Sequence, residues 1–341
     1  MALILHVQGD RWRAVQQATL RRLPGLVPVI KGNGYGFGRQ LLCGEAHRLG
    51  APMIAVGTYM ELPEALACFG GQVLVLEPYR AVLHHDLPDL RSTRVVHTVT
   101  APDDVEDLRS VQSKARVVVE GLTSMGRFGM PLRSLAAFVT SSGAEGVTLH
   151  LPLGTGHVAE ISRFVEAVPD NRRWFLSHVT ASELGELTAR FPDREFRPRV
   201  GTDLWLGDKG AYEVRADVLE VRALAKGERI GYRQRPQPAG HLVVVSGGTS
   251  HGVAMESPAA AATARQRAIA VAEGALEAAH RVRSPFEVSG VMPRFAEPPH
   301  MQCSLLVLPD HTTPPAVGDA VTVRMRLTTA YPDAVVLHPT K

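Results

Sequence analysis

Two textures alternate along the first 210 residues. Short apolar, β-rich runs occur at 27–32 (VPVIKG), 53–57 (MIAVG), 72–78 (QVLVLEP) and 94–99 (RVVHTV). Four more follow at 115–121 (ARVVVEG), 146–151 (GVTLHL), 174–179 (WFLSHV) and 195–201 (EFRPRVG). Between them lie stretches with helical spacing, such as ELPEALACF, APDDVEDLRS, EISRFVEAV and ASELGELTARF. Strand then helix, repeated, predicts a parallel sheet with crossover helices. Eight strands in so short a length fit an α/β fold of the closed, TIM-type β/α barrel kind better than an open doubly wound sheet.

The texture changes after about residue 215. DVLEVRALAKGERIGYRQRPQPAGHLVVVSGG is rich in Val, Gly and Pro, and PAVGDAVTVRMRLTTAYPDAVVLHP closes the chain. These stretches predict antiparallel strands, so the chain reads as a barrel over 1–215 and a mostly β C-terminal domain over 216–341. One stretch interrupts that domain. The alanine density of 257–285 predicts an inserted helix, with Ser257 as N-cap and Pro258 at its first position.

Composition narrows the class. The chain has 341 residues, 45% hydrophobic and 21% charged, as expected of a globular protein with a large core. Thirty-seven Lys and Arg against 34 Asp and Glu leave a net charge of +3, a weak excess at this length. The cationic clusters RQR and HRVR are short and not interleaved with aromatics, so no nucleic-acid partner is expected. The three cysteines, Cys43, Cys68 and Cys303, are odd in number, widely spaced and without a CxxC. Neither a disulfide framework nor a metal site is expected. The N-terminal apolar run is too short for a signal peptide, and no run of about 18 apolar residues occurs, so the expectation is a cytoplasmic protein with no membrane association.

Active sites of β/α barrels collect at the C-terminal ends of the strands. The first predicted strand ends at Lys31, before a loop of alternating glycines. An exposed lysine leaving the barrel is one reading. The other is an amine in a dry pocket, with a lowered pKa that makes it nucleophilic toward a carbonyl. Strand five leads to Arg127 in a glycine-flanked turn, strand six ends at His150, and strand seven leads to Ser182 near a helix start. Strand eight leads to Arg199, Gly201 and Thr202. Ser182 with the amides near Gly201 and Thr202 forms a candidate anion cradle.

Five stretches, in order, resemble the alanine racemase family. VIKGNGYGFG is similar to its Lys-Ala-Asn-Ala-Tyr-Gly-His-Gly, and TSMGRFG to Thr-Gly-Met-x-Arg-x-Gly. SHVTASEL resembles His-x-Ala-Asn-Ser, RVGTDLWLG resembles Arg-Pro-Gly-Ile-x-x-Tyr-Gly, and KGERIGY resembles Gly-Glu-x-x-x-Tyr. The resemblance spans about residues 15–325 and is weaker in the C-terminal half. It implies a pyridoxal 5'-phosphate-dependent racemase of a small amino acid, an isomerase. Lys31 would hold the cofactor as an internal aldimine and take the α-proton on one face. Tyr35, Ser182, Gly201 and Thr202 would hold its phosphate, and Arg199 would face the pyridine nitrogen. His150 would sit near the ring, and Arg127 would contact its phenolic oxygen or the substrate carboxylate. The resemblance also implies a head-to-tail homodimer.

The second half of the pattern departs. In the family a tyrosine of the partner subunit, inside Gly-Tyr-x-Asp-Gly, serves the opposite face. Here Gly248-Thr249-Ser250-His251-Gly252 aligns with that motif, so Thr249 replaces the tyrosine and His251 the aspartate. Threonine is a poor base, whereas a histidine titrates in the right range. His251, or a water held by Thr249, is the expected second acid–base group. Glu120 takes the place of an often carbamylated lysine, Met301-Gln302-Cys303 stands for Met-Asp-Gln, and Tyr331 is a candidate phosphate contact. The alternatives are other pyridoxal phosphate chemistry in the same fold, or a binding or interaction protein that has lost racemisation.

Overall fold

A computed structural model describes residues 2–168, 172–255 and 283–339. The chain divides into two units, Arg13–Gly207 and the pair of segments Met1–Trp12 with Asp208–Lys341. It begins with strand β1 (Leu3–Gln8), which belongs to the second unit, and helix α1 (Gly9–Arg22).

In Arg13–Gly207 the parallel strands are β2 (Val27–Pro28), β3 (Met53–Val56), β4 (Gln72–Pro78) and β5 (Val95–Val99), then β6 (Arg116–Gly121), β7 (Gly146–Leu149), β8 (Arg173–Ser177) and β9 (Glu195–Val200). They pair in the order β2-β9-β8-β7-β6-β5-β4-β3, and a parallel bridge between Val29 and Ala55 joins the two ends. All eight expected strands are present. They read as continuous apolar runs because both faces are covered, one by the barrel interior and one by helices. Val27, Val29, Met53, Ala55, Leu74, Val96, Val118 and Phe175 form a single buried cluster.

The helices that position the site are α2 (Arg39–Arg48), α3 (Leu62–Cys68), α4 (Ala81–His84), α5 (Pro102–Val111), α6 (Leu132–Ser141), α7 (Val158–Ala167), α8 (Ala181–Arg190) and the single turn α9 (Thr202–Trp205). Helix α8 starts where Thr180 and Glu183 cap each other. Glu183 N–H donates to Thr180 Oγ1 (3.2 Å) and Thr180 N–H to the Glu183 carboxylate (2.8 Å). Cys43 on α2 and Cys68 on α3 are joined by a disulfide, with their Cα atoms 5.9 Å apart, while Cys303 is free. This corrects the expectation from wide spacing. Helices that follow adjacent barrel strands lie side by side, so a sequence separation of 25 does not keep the two sulfurs apart.

The second unit is mostly antiparallel. Its spine is β10 (Tyr212–Leu224), followed by a short hairpin of β11 (Arg229–Ile230) and β12 (Arg235–Pro236), then β13 (Gly240–Ser246). The later strands are β14 (Phe286–Glu287), β15 (Arg294–Phe295), β16 (Cys303–Pro309), β17 (Ala320–Val323) and β18 (Ala334–His338). The sheet runs β14-β17-β10-β13-β16-β15, and β1 pairs with β10 and β18. The barrel expected over 1–215 therefore lacks its first dozen residues. In LILHVQ the buried Leu3, Leu5 and Val7 alternate with more open residues, the pattern of a sheet with one covered face. The expected helix at 257–285, with Ser257 and Pro258, lies outside the described residues up to 282. Among the described residues no helix is long and apolar enough to cross a membrane, and no cluster of His, Cys, Asp and Glu could hold a metal.

Candidate functional site

Lys31 follows β2 at the C-terminal end of the barrel, and the backbone around it is pinned on every side. Val29 N–H donates to Val200 O (2.8 Å), Ile30 N–H to Ala55 O (2.7 Å) and Gly34 N–H to Lys31 O (3.1 Å). Arg39 donates to the Gly32 carbonyl and pairs with Glu64 of α3. Trp205 Nε1 donates to Val29 O (2.8 Å). The buried Glu61 completes the set. Its Oε1 accepts Gly32 N–H (2.6 Å) and its Oε2 accepts Gly57 N–H (2.6 Å), so one carboxylate ties the ends of β2 and β3 together. The Lys31 side chain itself opens to the mouth. Its pKa is lowered, first by partial desolvation and then by the Arg127 and Arg199 guanidiniums, with Glu61 opposing.

Tyr35 sits in the following loop with φ 55, a left-handed conformation unusual for a tyrosine, and it is buried. Its hydroxyl lies against Gly201 so closely that a Cβ there would stand 2.0 Å from Oη. Burial, reinforced by Glu61, raises the phenol's pKa and keeps it protonated. Ser182 lies in the first turn of α8, and Gly201 and Thr202 follow β9. The Ser182 and Thr202 side chains are exposed. Glu183 also accepts the Gly156 N–H (2.7 Å) and His157 N–H (2.9 Å), which fastens the loop after β7 to the start of α8.

The other side of the mouth is cationic. Arg199 of β9 is buried and donates through Nη2 to Leu149 O (3.0 Å), while its Nε has no partner among the described residues. Burial pulls its pKa down to about 10 despite Glu120. Glu120 of β6 is buried too, and its Oε2 has no hydrogen-bond partner among the described residues. Burial raises its carboxyl pKa, with Arg199, Arg127 and Arg80 opposing. His150 is pulled down to about 3 by burial, then by Arg199, Arg127, His178 and Lys31, so its ring is neutral. His178 packs edge-on to it at 5.7 Å between centroids, at φ 54. Arg127 lies on an exposed turn over the Phe128 ring at 4.9 Å and acts on Glu120 through charge.

Lys31, Arg127, His150 and Arg199 thus form one electrostatic neighbourhood, and Tyr35 and Gly201 are in contact. Glu61, Glu183 and His178 were not singled out from sequence. The two glutamates carry a readable signal, since each is the fourth residue of a Thr-x-x-Glu capping pattern, Thr58–Glu61 and Thr180–Glu183. The left-handed backbone of Tyr35 and His178 has no such signal.

Thr249, Ser250 and His251 form a single turn in the second unit. Thr249 N–H donates to His300 O (2.8 Å) and Ser250 N–H to Met301 O (3.0 Å), so two loops are laced together. The Thr249 side chain is exposed. His251 is buried, its Nδ1 accepts Gly248 N–H (3.2 Å) and its Nε2 faces Asp333 at 3.2 Å. Both nitrogens are engaged within the unit's own loops. Tyr331 N–H donates to His251 O, and the Tyr331 side chain is exposed.

The barrel mouth fits pyridoxal phosphate on four counts. It has a fixed amine of lowered pKa, a buried Arg199 Nε without a partner, a neutral imidazole and a cleared approach at Gly201 beside a protonated phenol.

Comparison with known proteins agrees with this geometry. Residues 9–185 match the family model of the alanine racemase N-terminal domain. No curated protein matches the sequence. Among solved structures, an alanine racemase from Bartonella henselae with covalently bound pyridoxal phosphate is similar at TM-score 0.70 and 15% identity, covering 99% of this chain and 100% of that one. A histidine racemase from Leuconostoc mesenteroides subsp. sake is similar at TM-score 0.71 and 13% identity, covering 100% and 98%. Alanine racemase from E. faecalis gives 0.68 and 19%, covering 94% and 88%. At these identities the likeness is one of fold.

Proposed function

The chain belongs to the alanine racemase family, and on that premise we propose that it is a pyridoxal phosphate-dependent racemase of a small amino acid, working as a head-to-tail homodimer in the cytoplasm. The observation that carries this reading is Lys31, whose backbone is fixed by hydrogen bonds to β9, β3 and Glu61 while its amine stays open beside two guanidiniums. Bound pyridoxal phosphate supplies an electron sink that acidifies the α-C–H of an amino acid.

The chain's own residues do the rest. The lowered pKa leaves more of the Lys31 amine neutral, ready to attach a carbonyl and to take the α-proton from one face. Tyr35, Ser182, Gly201 and Thr202 hold the phosphate. Arg199 would donate to the pyridine nitrogen and disfavour its protonation, weakening the ring as an electron sink. The His150 ring, neutral through its lowered pKa, would lie beside the cofactor without adding charge. Arg127, on its exposed turn, binds the cofactor's phenolic oxygen or the substrate carboxylate. Thr249 stands on the loop that serves the second face.

A second reading has an observation in its favour. Thr249 is a poor base and His251 is turned into its own loop. A pyridoxal phosphate protein with one working face, running other chemistry or only binding, follows if no other group serves the second face. Purified protein is expected to take up pyridoxal phosphate and absorb in the visible, and Lys31→Ala is expected to lose that absorbance. Single amino-acid enantiomers in deuterated water then separate the readings. α-Deuterium in both enantiomers supports the racemase, and exchange from one enantiomer alone supports the second reading. A protein that cannot be loaded overturns both.

A further inference from the structure

In the second unit a buried carboxylate is devoted to a single imidazole. Glu297 accepts His300 Nε2 at 2.6 Å, Tyr232 N–H at 3.1 Å and Arg233 N–H at 3.4 Å. Its side chain is 4% exposed and that of His300 24%. Position 231 has to be glycine for this to form. Its φ is +74, and a Cβ would stand 2.2 Å from the Glu297 carboxyl carbon. The close approach carries Tyr232, which is 85% exposed, over the His300 ring at 4.6 Å between centroids. Among the described residues the remaining ring nitrogen, Nδ1, meets only a weak donor, Cys303 Sγ at 3.9 Å. The main chain of His300 accepts the Thr249 N–H, so this ring stands on the same laced loops as Thr249.

A carboxylate that accepts the Nε2–H fixes the tautomer and leaves the lone pair on Nδ1. It also stabilises the imidazolium once Nδ1 takes a proton. His251 lacks this arrangement, because its Nδ1 already accepts a backbone N–H. We propose that His300, oriented by Glu297, is the proton carrier for the second face of the substrate, presented by one copy of the chain to the barrel mouth of another. This rests on the racemase reading above. In one direction His300 Nδ1 takes the α-proton and the protonated Lys31 amine delivers one to the opposite face. In the other direction the two groups exchange roles. One proton leaves and one arrives, and the substrate keeps its composition.

The test uses the full chain loaded with pyridoxal phosphate. Wild type is expected to exchange the α-proton of both enantiomers for deuterium. His300→Asn is expected to keep the visible absorbance and the exchange of one enantiomer, and to lose the other by about 100-fold or more. Glu297→Gln is expected to lower the same exchange by about 10-fold. A readout independent of activity is the long-range proton–nitrogen NMR spectrum of the imidazoles. The wild-type His300 signal is expected as a fixed Nε2–H tautomer, released in Glu297→Gln and kept in Cys303→Ala. Mixing Lys31→Ala with His300→Asn is expected to restore racemisation, because a hybrid dimer holds one intact site. A folded, loaded His300→Asn that racemises at the wild-type rate overturns the proposal and leaves the racemase reading standing. Should His300→Asn not fold, His300→Gln and the NMR tautomer decide, and a His300 ring that is mobile in wild type overturns the proposal. A mixture that stays inactive overturns the placement between two copies. A wild type that takes up no pyridoxal phosphate overturns the racemase reading itself.

Discussion

Glu61 in the barrel unit and Glu297 in the β unit are both buried carboxylates that accept backbone N–H groups beside a functional side chain, yet they use their capacity differently. Among the described residues Glu61 bonds only backbone, at Gly32, Gly57 and Thr58, and not the Lys31 amine. Glu297 bonds the functional ring itself. The reason lies in the frame beneath each. Lys31 leaves a strand of the eight-stranded parallel sheet, held by β9 on one side and by the Val29–Ala55 bridge to β3 on the other, so fixing its flanks aims the side chain. His300 lies in the loop between β15 and β16, where its backbone is bonded to Thr249 and Cys303 but stands outside any strand, and the ring is held directly by the carboxylate. A rigid scaffold can present a free reactive group. A loop has to hold its group by hydrogen bonds and give up part of its freedom.

The largest effect expected in breaking this comparison is on the barrel side. Lys31→Ala should abolish pyridoxal uptake as a covalent species and lower racemisation by at least about 10³-fold, measured by absorbance and chiral product analysis. Glu61→Ala comes next. It removes the acceptor of two part-buried N–H groups, so denaturant unfolding should show a loss of about 1–3 kcal/mol together with weaker pyridoxal uptake. Glu297→Ala should leave pyridoxal uptake at the wild-type level, because its bonds lie on the β unit. Equal loss of uptake in the two glutamate variants would remove the distinction drawn between frame and loop.

How far the sequence carried each region follows the same division. The barrel was legible strand by strand, because burial on both faces turns each strand into a continuous apolar run bounded by helix or loop signals. The placement of Lys31, His150 and Arg199 was legible for the same reason, since each lies at the end of such a run, and Arg127 lies in the turn that follows one. What could not be read was anything that depends on distant partners. The alternating Leu3, Leu5 and Val7 gave no hint that β1 pairs with β10 and β18, more than 200 residues away. The Cys43–Cys68 pairing depends on two helices being neighbours in the ring. His251 was read from the type of its ring, but its usefulness is set by Gly248 and Asp333. The His300–Glu297 pair is only three residues apart, yet nothing in the sequence marks it, because its significance comes from Gly231, Tyr232 and Thr249.

The smallest of these effects separates two histidines of the barrel. His97 on β5 points away from the core-facing Val96 and into the wall, where its Nδ1 meets the Tyr59 hydroxyl at 3.1 Å. Burial lowers its pKa from 6.5 to about 4. Between those values the unfolded chain binds a proton that the folded chain refuses, so stability falls as pH drops through this window and levels off below it. The full loss from this one group is about 3 kcal/mol, from 2.5 units at 1.36 kcal/mol each. Thermal melts of wild type across that range should show the decline, and His97→Gln should flatten it. His150 is shifted further, to about 3, but it lies in the open mouth and partly among cations that solvent screens. His150→Gln should therefore flatten the decline less than His97→Gln does, although the His150 shift is the larger. The reverse order would mean that the mouth is as dry as the wall, and that the Lys31 amine is less open to solvent than its position indicates.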